Sequence, residues 1–135
     1  MVTVITFGTY DLVHVGHVRL LRRAAELGDR LVVGVSTDQL NMEKKGYTPV
    51  FPQQDRVEII GALDCVDNVF LEESLELKRQ YITEHGADVL VMGDDWRGAF
   101  DFCSDLCKVV YLERTPGIST SELRRLIEAR KGQEW

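Results

Sequence analysis

The sequence predicts an α/β fold, a doubly wound Rossmann-like parallel sheet with helices on both faces, in a single domain that spans residues 1–135. Short apolar runs alternate with amphipathic stretches along the chain, as in repeated strand–helix units. The apolar runs are continuous, which is typical of parallel strands buried on both faces. A chain of 135 residues, of which 44% are hydrophobic, can form one sizeable core and leaves little room for a second.

The predicted elements begin with a strand at residues 2–7, which are rich in β-branched side chains. Apolar residues at helical spacing, with arginines on the opposite face, predict a helix at 18–27 that ends at Gly28. A second buried strand is predicted at 31–36. Residues 39–53 show no regular pattern and contain two of the three prolines, so they predict a long loop that is functional or disordered.

The second half of the chain continues the alternation and closes on a helix. Apolar residues at helical spacing and short apolar runs again separate the two kinds of element. The predicted helices are 54–63, 74–85 and 120–130, and the predicted strands are 66–71, 88–93 and 108–113.

Composition excludes several classes of protein. A formal net charge of −6 argues against nonspecific binding to nucleic acid, which needs a basic surface. Cys65, Cys103 and Cys107 form an odd, sparse set, which favours reduced thiols and a cytoplasmic location over a disulfide framework or a zinc site. The N-terminus lacks the pattern of a signal peptide and no apolar run approaches the ~20 residues that span a bilayer, so we expect no membrane insertion.

Unusual segments follow three of the predicted strands, at residues 8–17, 93–98 and 114–121. In a doubly wound sheet, ligands bind at the carboxyl ends of the strands, near the point where the strand order reverses. We therefore expect these three segments to meet in one crevice.

The first of these segments, "GTYDLVHVGH", connects a strand to a helix. A helix N-terminus offers free N–H groups and partial positive charge to a phosphate, and Gly16 permits a close approach to the backbone. His14 and His17, three residues apart, would lie on one side of the first turn and could donate to oxygens where negative charge grows. The alternatives are a capped helix start with two partly exposed histidines, or a metal pair that lacks an evident third ligand.

The later segment, "RTPGISTSEL", follows the last predicted strand. Ser119 and Glu122 fit a capping box, with Ser119 as the N-cap of the final helix. Arg114 precedes the turn as a guanidinium suited to phosphate, and Thr120 and Ser121 add hydroxyls beside free N–H groups. The segment predicts a second anion site, and a well-capped C-terminal helix is the simpler alternative.

These motifs resemble a known family. Residues 8–17 are similar to the G-T-[FY]-D-x-x-H-x-G-H signature of the cytidylyltransferase branch of the HxGH nucleotidyltransferase superfamily. Residues 114–121 resemble its second signature, R-T-x-G-I-S-T-[ST]. The stretch "VMGDDWRGAFD", at 91–101, is similar to one in the bacterial glycerol-3-phosphate cytidylyltransferases, and the likeness extends over nearly the whole chain.

The resemblance implies transfer of CMP from CTP to glycerol 3-phosphate, which gives CDP-glycerol and pyrophosphate. It implies that His14, His17, Arg114, Ser119 and Thr120 are catalytic. The nucleotide-binding residues that it implies are Thr9, Tyr10, Asp11, His14, Gly16, His17, Asp94, Arg114, Thr115, Gly117, Ile118, Ser119, Thr120 and Ser121.

For the acceptor phosphate, the resemblance implies contacts from Lys44 and Lys78, with Arg56 as a further candidate, and Lys45 could serve the nucleotide. Asp64 stands where these enzymes commonly carry arginine. That departure leaves phosphocholine and phosphoethanolamine open as alternative acceptors. An adenylyltransferase and a noncatalytic nucleotide-binding scaffold are the other functions that the motifs permit.

The resemblance also implies a divalent cation, Mg²⁺ or a substitute, that bridges phosphate oxygens. The sequence shows no dedicated carboxylate cage, so we expect phosphates and water to hold the ion, with Asp11 as the protein candidate. Members of the family are commonly homodimers, and teichoic-acid or capsule precursors are the expected use of a CDP-glycerol product.

Overall fold

Five parallel strands form one sheet in the computed structural model, which describes residues 1–133. The strands are β1 (Thr3–Gly8), β2 (Arg30–Ser36), β3 (Asn68–Glu72), β4 (Val89–Gly93) and β5 (Lys108–Leu112). The helices are α1 (Val15–Ala25), α2 (Asp38–Lys45), α3 (Gln53–Gly61), α4 (Lys78–Glu84) and α5 (Thr120–Ala129). Short 3₁₀ helices lie at Leu75–Leu77, Asp94–Trp96 and Asp101–Cys103.

The strand order is β3-β2-β1-β4-β5, with β1 at the centre. Val4 of β1 lies opposite Leu31 of β2 on one side and Val89 of β4 on the other. The chain builds outward from β1 through β2 and β3, then crosses to β4 and β5. The order therefore reverses between β1 and β4, which places the expected binding crevice at the carboxyl ends of those two strands.

Hydrophobic clusters cover both faces of the sheet. On one face, Leu21 of α1 and Ile60 of α3 are fully buried and pack with side chains of β1, β2 and β4. On the other face Tyr81 and Ile82 of α4 pack with Phe7 and its neighbours. Burial on both faces explains why the strands read as continuous apolar runs, and the predicted doubly wound fold is confirmed.

The prediction of an irregular loop at 39–53 is wrong for residues 39–45, because α2 occupies them. Thr37 caps this helix by accepting a hydrogen bond from the backbone N–H of Leu40 at 3.0 Å. Gly46 ends it with φ of 80°, the left-handed conformation that favours glycine. The helix is short and carries few apolar residues, so its hydrophobic periodicity is weak. In the sequence, only the residues that cap its two ends indicate a helix here.

Other boundaries differ by a few residues. Helix α1 begins at Val15, three residues before the predicted start, because His14 caps it. The predicted helix at 74–85 is divided into a 3₁₀ turn and α4. No helix within residues 1–133 is both long and apolar enough to cross a membrane.

Candidate active site

Three adjoining cavities open at the carboxyl ends of β1, β4 and β5. The histidine groove, about 220 Å³, contains both histidines of the early loop and the start of α5. The central cavity, about 300 Å³, shares His17, Arg114 and Thr120 with that groove. The aromatic cavity, about 650 Å³, shares Thr9, Lys45 and Trp96 with the central cavity. The crevice is therefore continuous from one cavity to the next.

The two histidines are held by the backbone of the turn in which they lie. Nδ1 of His14 accepts the N–H of Gly16 at 3.0 Å, and Nδ1 of His17 accepts the N–H of His14 at 3.1 Å. A nitrogen that accepts a hydrogen bond carries no proton, so both neutral rings carry theirs on Nε2. The reciprocal bonds cap α1 and leave two Nε2–H groups as donors.

Burial and nearby positive charge favour the neutral form of both imidazoles. Burial, together with the nearby positive groups of His14 and Arg114, lowers the pKa of His17 to about 4. Burial and Arg114 also lower the pKa of His14. The ring centroids of the two histidines are 3.9 Å apart, a distance at which two positive charges would repel strongly. The pair is thus a set of neutral donors at physiological pH.

The start of α5 forms the opposite wall of the histidine groove. Ser119 is the predicted N-cap, and its hydroxyl accepts the backbone N–H of Glu122 at 3.0 Å. The Glu122 carboxylate pairs with Arg125. The remaining N–H groups of the first turn give this wall partial positive charge.

Direct contacts join the early and late loops. The hydroxyl of Thr120 donates to the carbonyl of Asp11 at 3.1 Å. A Cβ added at Gly16 would lie 2.8 Å from Cε1 of His14 and 3.2 Å from Cγ2 of Ile118. Glycine is therefore required where the two loops approach each other. The structure brings the two predicted phosphate sites together into one groove.

Asp11 holds the segment that follows α2. Its carboxylate accepts the backbone N–H groups of Val50 at 2.8 Å and Phe51 at 3.0 Å, and it lies 3.8 Å from the guanidinium of Arg124. The carboxylate is buried and both of its oxygens are engaged. We therefore correct the expectation that Asp11 is available as a metal ligand and assign it to the architecture of the central cavity.

The three predicted acceptor residues occupy different places. Lys44 and Lys78 line the aromatic cavity. Arg56 does not, because its guanidinium is fully buried and donates to the carbonyls of Thr9, Ser36 and Phe51. It also pairs with Asp38 at 2.7 Å. The prediction that Arg56 contacts the acceptor is corrected to a structural role, since little of its donor capacity remains.

The segment at the end of β4 contributes to the binding crevice less directly than predicted. Gly93 and Asp95 line the central cavity, whereas Asp94 begins a 3₁₀ turn beside it. Asp95 lies 3.6 Å from Arg114, so this carboxylate orients the predicted phosphate-binding guanidinium. Gly117 has φ of 77° and supplies the turn before α5 rather than a wall of a cavity.

Several cavity residues were missed by the sequence analysis. Asn41 is buried. Its side-chain N–H group donates to the hydroxyl of Ser36, and its side-chain oxygen accepts the hydroxyl of Thr9 at 3.0 Å. Tyr47 and Arg124 meet at the mouth of the central cavity. Recognising α2 by its Thr37 and Gly46 caps would have revealed Asn41 on its inner face, but the sequence carries no local signal for the contact of Tyr47 with Arg124.

Residues 5–126 match the family model described as cytidylyltransferase-like. The chain is 50% identical over 129 residues to the glycerol-3-phosphate cytidylyltransferase of Bacillus subtilis, covering 94% of this chain and 98% of that protein. It is 45% identical to the Staphylococcus aureus protein of the same description, covering 93% of this chain and 94% of that one. The solved structure of a lipopolysaccharide core biosynthesis protein from Thermoplasma volcanium superposes with a TM-score of 0.75 at 26% identity, covering 85% of this chain and 98% of that one.

Proposed function

The chain belongs to the cytidylyltransferase-like family, and we propose that it transfers CMP from CTP to glycerol 3-phosphate, releasing pyrophosphate and CDP-glycerol. The observation that carries the proposal is the histidine groove. His14, His17 and Arg114 line it together with the N-terminus of α5, so donors from both ends of the chain converge on a site for polyphosphate.

In the proposed reaction, a phosphate oxygen of glycerol 3-phosphate attacks the α-phosphorus of CTP. The bond from that phosphorus to the oxygen shared with the β-phosphate breaks, and pyrophosphate leaves with the electron pair. The attacking oxygen is already anionic, so no general base is needed. Catalysis then rests on alignment of the reactants and on donors aimed at the growing negative charge.

The neutral histidines suit this role. Each Nδ1 is occupied by a backbone N–H, so each Nε2–H is fixed in direction before the substrate arrives. Arg114 adds a charged guanidinium with several donors. Ser119 and Thr120 add the N-terminus of α5, and the hydroxyl of Ser119 can donate because it only accepts a bond within the cap. These groups would hold the β- and γ-phosphates and stabilise the departing pyrophosphate.

The aromatic cavity is the proposed acceptor site. It adjoins the central cavity and is lined by Lys44, Lys45 and Lys78. Lys78 is paired with Glu72, so Lys44 and Lys45 supply the surplus positive charge for a phosphate. Asp64 is exposed and lines none of the three cavities, so its acidic charge does not enter this site within one chain. That position supports glycerol 3-phosphate as the acceptor despite the departure from the family's arginine.

We propose Mg²⁺ as the accompanying cation. Among residues 1–133 no group of three or more histidine, cysteine or acidic side chains is placed to bind a metal. Asp11 and Asp95 both line the central cavity, but Asp11 is engaged by backbone N–H groups, which leaves Asp95 as the more available carboxylate. The donor set therefore fits an ion held mainly by phosphate oxygens and water, with Asp95 at its border, and such an ion would neutralise phosphate charge.

An acceptor panel tests the proposal. The purified protein is incubated with each nucleoside triphosphate and with glycerol 3-phosphate, phosphocholine or phosphoethanolamine, and pyrophosphate is measured. We expect turnover with CTP and glycerol 3-phosphate that is lost when the divalent cation is chelated. Turnover with ATP alone would indicate an adenylyltransferase, and tight nucleotide binding without turnover would indicate a scaffold; both results contradict the proposal.

Three further expectations remain proposals. A homodimer is proposed from the resemblance and is tested by sedimentation equilibrium. A cytoplasmic location is supported by three free cysteines, two of which are buried. Supply of CDP-glycerol for teichoic-acid or capsule synthesis is the proposed use of the product.

A further inference from the structure

The aromatic cavity has a wall that is unusual for a site of a polar alcohol. Phe7, Trp96, Phe100 and Phe102 all line it. Aromatic faces gathered in this way attract cations, and such cages are used elsewhere to bind quaternary ammonium groups. The wall by itself would therefore favour an acceptor with a positively charged head group.

The ammonium group of Lys78 already lies over two of these aromatic rings. Nζ of Lys78 lies 4.0 Å from the ring centroid of Phe7 and 5.2 Å from that of Phe100. The residue is 3% exposed, so the ammonium is held within the wall and not in solvent. It therefore covers the faces of Phe7 and Phe100, with which a ligand's ammonium could otherwise make cation–aromatic contact.

The same lysine neutralises the carboxylate of the cavity. Nζ of Lys78 donates to Oε2 of Glu72 at 2.5 Å, and both side chains are nearly fully buried. The charged side chains of the lining are this pair together with Lys44 and Lys45. The cavity thus carries a surplus of positive charge, which attracts a phosphate and repels a second cation.

We propose that Lys78 is a specificity-determining residue whose ammonium stands in for a cationic head group, so that the cavity accepts neutral, hydroxylated alcohol phosphates and rejects phosphocholine and phosphoethanolamine. The proposal rests on the function proposed above and names the property of the acceptor that its site selects. Glu72, with one oxygen engaged by Lys78, faces the same cavity and can accept a hydrogen bond from an acceptor hydroxyl.

The test compares Lys78→Met with Lys78→Arg. Methionine removes the charge and keeps a long apolar side chain, whereas arginine keeps the charge over the aromatic rings. With Lys78→Met we expect the ratio of kcat/KM for phosphocholine to that for glycerol 3-phosphate to rise roughly tenfold or more, the effect of one desolvated cation–aromatic contact. With Lys78→Arg the ratio should stay near the wild-type value.

Binding is measured beside turnover. Isothermal titration of phosphocholine into the enzyme in the presence of CTP should show at least about tenfold tighter binding to Lys78→Met than to the wild type. Because Lys78→Met leaves Glu72 without its partner, thermal unfolding of each variant is recorded first. If that variant does not fold, the double variant Lys78→Met with Glu72→Gln removes both charges and is compared with the wild type in the same two assays.

The outcomes separate the two proposals. Absence of wild-type turnover with CTP and glycerol 3-phosphate contradicts the proposed function. Wild-type turnover together with an unchanged acceptor ratio and unchanged phosphocholine affinity in the folded charge-removing variant overturns the role of Lys78. Equal losses for every acceptor would show that Lys78 simply binds the phosphate, and this result also overturns it.

Discussion

The histidines illustrate how single residues combine two tasks in this protein. His14 and His17 cap α1 through Nδ1, and the same bonds leave Nε2–H as the free donor of each ring in the lining of the histidine groove. A second proton on either ring would have to displace a backbone N–H from Nδ1. The cap therefore fixes both the direction of the donors and their neutral state.

Replacing His17 by alanine separates these tasks. We expect His17→Ala to lower kcat about 10²–10⁴-fold because a preorganised donor is lost from the transition state. It should also destabilise the fold by about 1 kcal/mol, since the N–H of His14 loses its acceptor. Pyrophosphate release and urea unfolding measure the two effects.

His17→Asn is the matched control, because its side-chain carbonyl can accept the same N–H while it lacks Nε2. This variant should recover most of the lost stability and little of the turnover. Near-normal turnover of His17→Ala would refute the role of the donor.

The pKa of His17 makes stability depend on pH in a defined direction. The folded pKa is about 4 and the unfolded value is 6.5, so the unfolded chain binds more protons between these values. The contribution is complete above pH 6.5 and is lost as the pH falls toward 4, with a limit of about 3 kcal/mol. Urea unfolding at pH 7.0, 5.5 and 4.5 should show this decline in the free energy of unfolding. For His17→Asn, the slope of that free energy against pH should be about half the wild-type slope or less. Identical slopes in the two proteins would contradict the assignment.

At the scale of elements, the crevice is held by side chains that join segments distant in sequence. Arg56 of α3 ties the end of β1, the end of β2 and the entry to its own helix through three carbonyls. Asp11 fastens residues 50 and 51, and thereby the segment after α2, to the early loop. These contacts shape the central cavity.

Arg56→Met should therefore act on stability. We expect a loss of about 3–5 kcal/mol in the free energy of unfolding, because three buried or part-buried carbonyls lose their donor and Asp38 loses its charged partner. Arg79→Met is the control, since the exposed pair of Arg79 with Asp105 is worth less than about 1 kcal/mol. Urea unfolding compares the two, and a loss for Arg56→Met no larger than for Arg79→Met would contradict the structural role.

At the scale of the whole molecule, the site depends on α5 meeting a loop from the other end of the chain. None of the residues of α5 is buried, and Leu126 and Ile127 are exposed apolar side chains. The helix is joined to the early loop at its N-terminus, where Thr120 bonds Asp11. A polyphosphate in the histidine groove would add contacts at that end and stabilise the docked helix.

We therefore expect CTP with Mg²⁺ to slow backbone hydrogen exchange across α5, by about tenfold or more at saturation. At the same short labelling times β1 and β2 should show no change, because strands in the core exchange too slowly to take up deuterium with or without the ligand. Mass spectrometry of peptides from residues 120–129 measures the effect. The Arg114→Ala variant should show less protection at equal CTP, and protection that is uniform over all elements would argue against local docking.

Much of this protein could be predicted from the order of its residues. Continuous apolar runs fixed the parallel strands, and the spacing of His14, His17, Arg114 and Ser119 indicated two anion sites on opposite ends of the chain. The capping role of Ser119 was predicted from its local pattern and is confirmed. These features are local, because backbone propensity and helix caps depend on residues within a few positions of each other.

Only the tertiary structure decided which charged groups remain free for a ligand. Arg56, Asp11 and Lys78 were all candidates for contact with a ligand or a metal ion, yet the structure separates them. Arg56 and Asp11 are engaged mainly by backbone groups, whereas Lys78 lines the aromatic cavity while it pairs with a buried carboxylate and lies over aromatic rings. Among these partners, Thr9 lies 47 positions from Arg56 and Phe7 lies 71 positions from Lys78. Burial and hydrogen bonding with such partners depend on packing of the whole chain, and no local pattern encodes them.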